Sequence, residues 1–157
     1  MNEPAMTFDG VVLSPQKEIV RVFFKEMWDK SDKSLIPKIF HPDFTFRGSL
    51  GPVFSGYEQF TAYYDSVIGA IGEFTSEILE MVEEGNKVCC KLRYRGYHRG
   101  EFLGYQPTGR PVWWYGTPII SFDGAKMRDF WVLGDIHGLK ARLADNRLAG
   151  VEPPASK

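Results

Sequence analysis

The hydrophobic pattern of this chain changes period once, near residue 73, and that change limits the folds open to it. Upstream, apolar side chains recur at helical spacing: Val20, Phe23, Phe24, Met27 and Trp28 in one run, then Phe60, Tyr63, Tyr64, Val67 and Ile71 in another. Each set falls on one face of a helix. Downstream, Val88, Cys90, Leu92 and Tyr94 alternate with Cys89, Lys91, Arg93 and Arg95, the period of a strand with one buried face. Helices first and long strands afterwards predict an α+β layer architecture, with helices covering one face of a curved antiparallel sheet and a pocket enclosed between them.

Boundary signals divide the chain. Residues 1–13 lack periodicity and read as a flexible arm. Ser14-Pro15 opens a helix over 14–30, with Ser as N-cap and Pro where its missing N–H costs nothing. A short helix from Leu35 to Phe40 stops before Pro42, a strand follows at 44–47, and 48–52 is a loop. Ser55-Gly56-Tyr57-Glu58 fits a capping box for a helix over 56–71, with Gly72 just past its end. Residues 74–83 and 87–97 form one hairpin. After a turn-rich connection at 100–109, residues 110–122 and 126–134 form a second hairpin around Asp123-Gly124. A terminal helix occupies 135–148, with Leu139, Leu143 and Leu148 inward, and 149–157 is a disordered tail. One domain, 14–148, accounts for all of this.

A formal net charge of −1 with scattered Lys and Arg leaves no footprint for nucleic acid and no polybasic patch for a membrane surface. No apolar run approaches the roughly 20 residues that span a bilayer, and Glu3, Pro4 and Asp9 spoil a signal peptide, so a cytoplasmic location is expected. Cys89 and Cys90 are adjacent on a strand and point to opposite faces, which suits neither a disulfide nor a zinc site. Neither a metal nor a cofactor is expected. The partner that fits is a small, hydrophobic organic substrate.

The stretch 126–139 concentrates the candidate chemistry. Strand parity places Met127, Asp129, Trp131, Leu133 and Asp135 on one face. A carboxylate between Met and Trp on an apolar face has its pKa raised unless it is paired, which is how a general acid or base is made. Asp135 is either a second carboxylate of the site or the N-cap of the terminal helix. His98 shares parity with Leu92 and Tyr94, and its imidazole suits proton transfer near neutral pH. Trp113, Trp114 and Tyr115 cannot all face one way, so at least one aromatic emerges on the outer face of the sheet, where a homodimer would cover it. Trp28, Phe46, Tyr63, Tyr94, Trp113, Met127 and Trp131 are the expected pocket lining.

Four segments also carry a resemblance: His98-Arg99-Gly100-Glu101-Phe102-Leu103-Gly104; Pro107-Thr108-Gly109-Arg110; Asp123-Gly124-Ala125-Lys126 leading into Asp129-Phe130-Trp131; and Gly134-Asp135-Ile136-His137-Gly138-Leu139. Over residues 14–143 the chain resembles the SnoaL-like polyketide cyclase or ester-cyclase branch of the nuclear-transport-factor-2-like superfamily. The resemblance implies a cone-shaped α+β fold with an apolar cavity and cofactor-independent acid–base chemistry on a hydrophobic carbonyl compound, an aldol-type cyclisation or isomerisation. It implies Asp129 as the acid or base on the last strand, His98 as an inward histidine, and Tyr115 at the place of a second polar residue. The superfamily also includes dehydratases, epoxide hydrolases and members without known chemistry, so a small-molecule-binding protein is the alternative.

Overall fold

The computed structural model describes residues 3–145. Helix α1 (Pro15–Arg21) runs on through a π-helical stretch (Val22–Trp28), and a 3₁₀ turn (Lys33–Leu35) leads into α2 (Ile36–Ile39). Strands β1 (Phe40–Arg47) and β2 (Val53–Ser55) precede helix α3 (Gly56–Ala70). Strands β3 (Ile71–Glu84), β4 (Lys87–His98), β5 (Pro111–Asp123) and β6 (Lys126–Gly134) follow, and α4 (Ile136–Ala144) closes the described chain. The expected end of the last helix at 148 and the tail 149–157 lie outside the described residues.

Among the described residues the sheet has six strands in the order β2-β1-β6-β5-β4-β3 and does not close. It is not wholly antiparallel as expected, because β1 pairs parallel with β6 while the other neighbours are antiparallel. Register breaks between Gly72 and Thr75, between Ile78 and Glu80, and beside Ser121 bend the long strands around the helices. The layer so enclosed is aromatic. Phe23 packs on Phe130 with ring centroids 4.5 Å apart, Trp28 on Tyr64 at 4.6 Å, and Phe46 on Phe60 at 4.8 Å. The π-helical stretch turns Phe23, Phe24, Met27 and Trp28 all into this core.

Local signals explain most element ends. The Ser14 hydroxyl caps α1 by accepting from the Lys17 N–H at 3.2 Å, with Pro15 at the first turn. At α3 the capping box does not form. Ser55 instead donates its hydroxyl to the Phe44 carbonyl, and the Gln59 amide oxygen, not Glu58, accepts from the Ser55 N–H at 2.9 Å. Gly72 does not end the helix either, since Ile71 already starts β3. Of the first residues, read as a flexible arm, the Met6 N–H donates to the Ile78 carbonyl on the open edge of β3 at 2.7 Å, and Glu3 pairs with Lys91 of β4.

Candidate functional site

A β-bulge decides which side chains of β6 face inward. Phe122 pairs with Met127, but its chain neighbour Ser121 pairs with Asp129, so Arg128 is an extra residue. One inserted residue reverses every later side chain. Met127 is fully buried, whereas after the bulge it is Phe130 and Val132 that turn in. Asp129, Trp131 and Leu133 are exposed on the outer face. The expected placement of Asp129 and Trp131 on the cavity face is therefore corrected. Thr45 on the neighbouring strand donates its hydroxyl to the Asp129 carboxylate, and the Arg47 guanidinium lies 5.3 Å from the Trp131 ring centroid.

Parity without a bulge places the side chains of β4 against β5. On β4, Leu92 and Tyr94 face inward as the alternation predicts. On β5, Val112, Trp114, Ile120 and Phe122 are buried on the inner side, and Trp113 and Tyr115 point out. Trp113 is thus not cavity lining. It anchors α4: the Arg142 guanidinium sits 3.5 Å from its ring centroid and donates to its carbonyl at 3.0 Å. Tyr115 packs beside it on the same outer face, with centroids 5.3 Å apart. Asp135 takes the capping role, its carboxylate accepting from the Gly138 N–H at 3.0 Å. Of the expected catalytic residues, Asp129, Tyr115 and Asp135 lie outside the sheet.

His98 ends β4 on the inner side and is buried. Its Nδ1 lies 3.4 Å from the Thr108 hydroxyl, and its Nε2 is sealed with no hydrogen-bond partner among the described residues. It does not line the cavity: between it and Tyr94, Ile71 packs over Gly96.

The cavity lies between the π-helical stretch, α3 and the inner face of the sheet. Its walls are the rings of Phe23, Phe24, Trp28, Phe46, Phe74 and Phe130, together with Val67 and Val132. Of the expected lining, Trp28, Phe46, Tyr63 and Tyr94 are there, and Met127 is buried elsewhere in the core. The expected lining lacked Gly48, Ser49 and Trp114, and also the apolar walls Phe23, Phe24, Val67, Phe74, Phe130 and Val132. The alternation of Val112, Trp114, Ile120 and Phe122 was the available signal for Trp114, whereas nothing marks a serine in a loop. The polar end is built by Ser49, Tyr63, Tyr94 and Trp114, with the Trp114 indole N–H donating to the Ser49 hydroxyl at 3.1 Å. Burial pushes the hydroxyls of Tyr63 and Tyr94 well above the ordinary phenol range, Ser49 offsetting this only in part for Tyr63. Both therefore remain protonated donors at neutral pH. Among the described residues no Asp, Glu, His, Lys or Arg lines this cavity.

The open space is about 30 Å³, room for a water or two. A ring-sized ligand has to displace a wall. Tyr63 is the partly exposed lining aromatic, its ring centroid 5.0 Å from that of Phe54 where the loop between β1 and β2 borders the cavity.

The family model described as SnoaL-like polyketide cyclase matches residues 18–143. The chain belongs to the SnoaL-like polyketide cyclase family. Solved structures agree on the fold of this SnoaL-like chain. A provisionally named polyketide cyclase from Acidithiobacillus ferrooxidans superposes with a TM-score of 0.75 at 21% identity, over 88% of this chain and 99% of that one. AclR from Streptomyces galilaeus, provisionally called a hydroxylase, gives 0.72 at 24% identity over 82% and 84%. A Catenulispora acidiphila protein with a ketosteroid isomerase-like fold, solved with trimethylamine, gives 0.68 at 17% over 89% and 98%. No protein of curated function matches the chain.

Proposed function

We propose that this SnoaL-like chain is a cofactor-independent cyclase or isomerase that holds a small hydrophobic carbonyl compound, of polyketide-derived type, in the aromatic cavity. The observation that carries the reading is the composition of that cavity, aromatic walls ending in neutral hydrogen-bond donors, in a member of a cyclase family. Folding a flexible chain so that its nucleophilic carbon meets its own carbonyl converts much of the barrier into positioning, an effect that reaches ~7–11 kcal/mol in well-oriented intramolecular reactions. Donors aimed at the carbonyl oxygen stabilise the charge that develops there. The second reading, a small-molecule-binding protein without turnover, is favoured by the lack of a carboxylate or imidazole among the described lining residues, which leaves proton removal to water or to a group brought in when the ligand binds.

Acetophenone, a ring with one carbonyl, is the simplest probe. At concentrations well above its dissociation constant it is expected to raise the melting temperature of the full chain by several degrees, since a ligand at about 100 Kd stabilises by ~2.7 kcal/mol. No shift up to the solubility limit would contradict the reading.

A second copy of the chain is the proposed partner for the outer face. Val82, Ile119, Trp131 and Leu133 are 65%, 42%, 39% and 59% exposed there, an apolar patch across β3, β5 and β6 that a monomer would leave wet. Sedimentation equilibrium is expected to show a dimer at micromolar concentration and a monomer for Leu133→Glu. A monomeric wild type would refute it.

A further inference from the structure

We infer that the Tyr94 hydroxyl is the donor to the oxygen of a neutral carbonyl ligand, and that Ser49, held by Trp114, and Tyr63 are the positioning residues around it. This rests on the cavity being a carbonyl-binding site and adds which atom meets the oxygen and which ligands are refused.

Tyr94 is held between two rings and the backbone of β5. Its ring packs 5.3 Å from Trp114 and 6.0 Å from Phe74, and it is 7% exposed. It lies flat against the β5 backbone at Gly116, where an added Cβ would come within 2.5 Å of its Cε2 and 3.0 Å of its hydroxyl oxygen. Any larger residue at 116 would push the ring away. The hydroxyl has no hydrogen-bond partner among the described residues, yet it is not one of the sealed unpaired side-chain atoms, which are Arg93 Nη1, Arg93 Nη2 and His98 Nε2. It keeps a little accessible surface on a side chain that lines the cavity, and a buried donor in that position needs an acceptor.

The neighbouring polar groups sit close to one another. Ser49 accepts from the Trp114 indole, and its backbone is pressed so close to Gly134 that a Cβ there would lie 2.6 Å from the serine Cβ. The Tyr63 hydroxyl sits beside Ser49 and against Gly48. An oxygen placed at Tyr94 thus meets its hydroxyl as donor, with the Ser49 and Tyr63 hydroxyls at its flank. It meets no cation, since no Lys, Arg or His among the described residues lines the cavity. A carboxylate would be buried unpaired. The ligand class is a ketone or aldehyde, and acids of the same shape are excluded.

Acetophenone labelled with ¹³C at the carbonyl gives the test by infrared difference spectroscopy, with thermal stabilisation reporting binding separately. In the wild type the bound C=O band is expected at lower frequency than in alkane solution. In Tyr94→Phe most of that displacement should disappear, with binding weakened about five- to tenfold, the loss of one hydrogen bond. Tyr63→Phe should move the band less, and benzoate should not compete. A bound band in the wild type equal to that in alkane overturns the donor role whether or not the variant folds. So does an identical band in a folded Tyr94→Phe, and in both cases the cavity stays a binding site. Competition by benzoate at equal affinity overturns the neutral-ligand claim, and failure of acetophenone to bind the wild type overturns the cavity reading together with this one.

Discussion

Phe130→Ala is expected to destabilise the protein by about 3–5 kcal/mol, and Trp131→Ala, one residue on, by less than about 1 kcal/mol. Phe130 is 1% exposed and its ring contacts Phe23, Phe46 and Phe24 at centroid distances of 4.5, 5.1 and 6.0 Å. Truncating it leaves a void that close-packed rings cannot refill. Trp131 is 39% exposed on the far side, with Arg47 as its ring partner. The contrast is a direct consequence of the extra residue at Arg128. Without the bulge, Trp131 would be the core residue and the order would reverse. Urea denaturation of the two variants at low protein concentration, so that self-association does not enter, reads the difference. Equal losses, or a larger one for Trp131→Ala, would mean that the register of β6 is wrong.

Glu77→Gln should cost a similar ~3–5 kcal/mol, through charge and not volume. The Glu77 carboxylate, with 8% of its side chain exposed, accepts from Arg93 Nε at 2.5 Å and from Arg95 Nη1 at 3.2 Å. Arg93 is fully buried, and its two Nη atoms have no hydrogen-bond partner among the described residues, so the single contact with Glu77 is what compensates its charge. The amide keeps the shape of the glutamate and removes that compensation. A fall in melting temperature on the order of 10 °C is expected by calorimetry. In Glu77→Gln/Arg93→Met, where no charge is left stranded, most of it should return. A Glu77→Gln protein that melts within 2 °C of wild type would show that the guanidinium is solvated in solution.

How far the sequence could be read follows from these particulars. The change of period near residue 73 located the helical layer and the long strands, because burial of one face imposes periodicity on any element that packs. Tyr94 was legible for the same reason: Val88, Cys90, Leu92 and Tyr94 alternate along β4 on its inner face, although Arg93 on the other face is buried too, by its pair with Glu77. Asp129 was misplaced because parity was carried from Met127 across a bulge. Nothing in Lys126-Met127-Arg128-Asp129 announces one, since it has neither glycine nor proline. The bulge arises from how β6 meets both β5 and the parallel β1, which are contacts far away in sequence. Ser49 was illegible for a similar reason. A loop residue enters the site only because Gly134 lets the two backbones touch and Trp114 reaches it across the sheet. Asp135 could be read either way from sequence, and the cap geometry assigns it to α4.

The four tryptophans of the chain divide evenly between the two faces: Trp28 and Trp114 line the cavity, and Trp113 and Trp131 lie outside the sheet. Their indole N–H signals in a ¹⁵N-labelled sample report directly on where a carbonyl compound binds. On titration with acetophenone, the Trp28 and Trp114 signals are expected to move together along one saturation curve while those of Trp113 and Trp131 stay in place. Saturable shifts at Trp113 or Trp131, with Trp28 and Trp114 unmoved, would put the site on the outer face beside Asp129 and contradict the account.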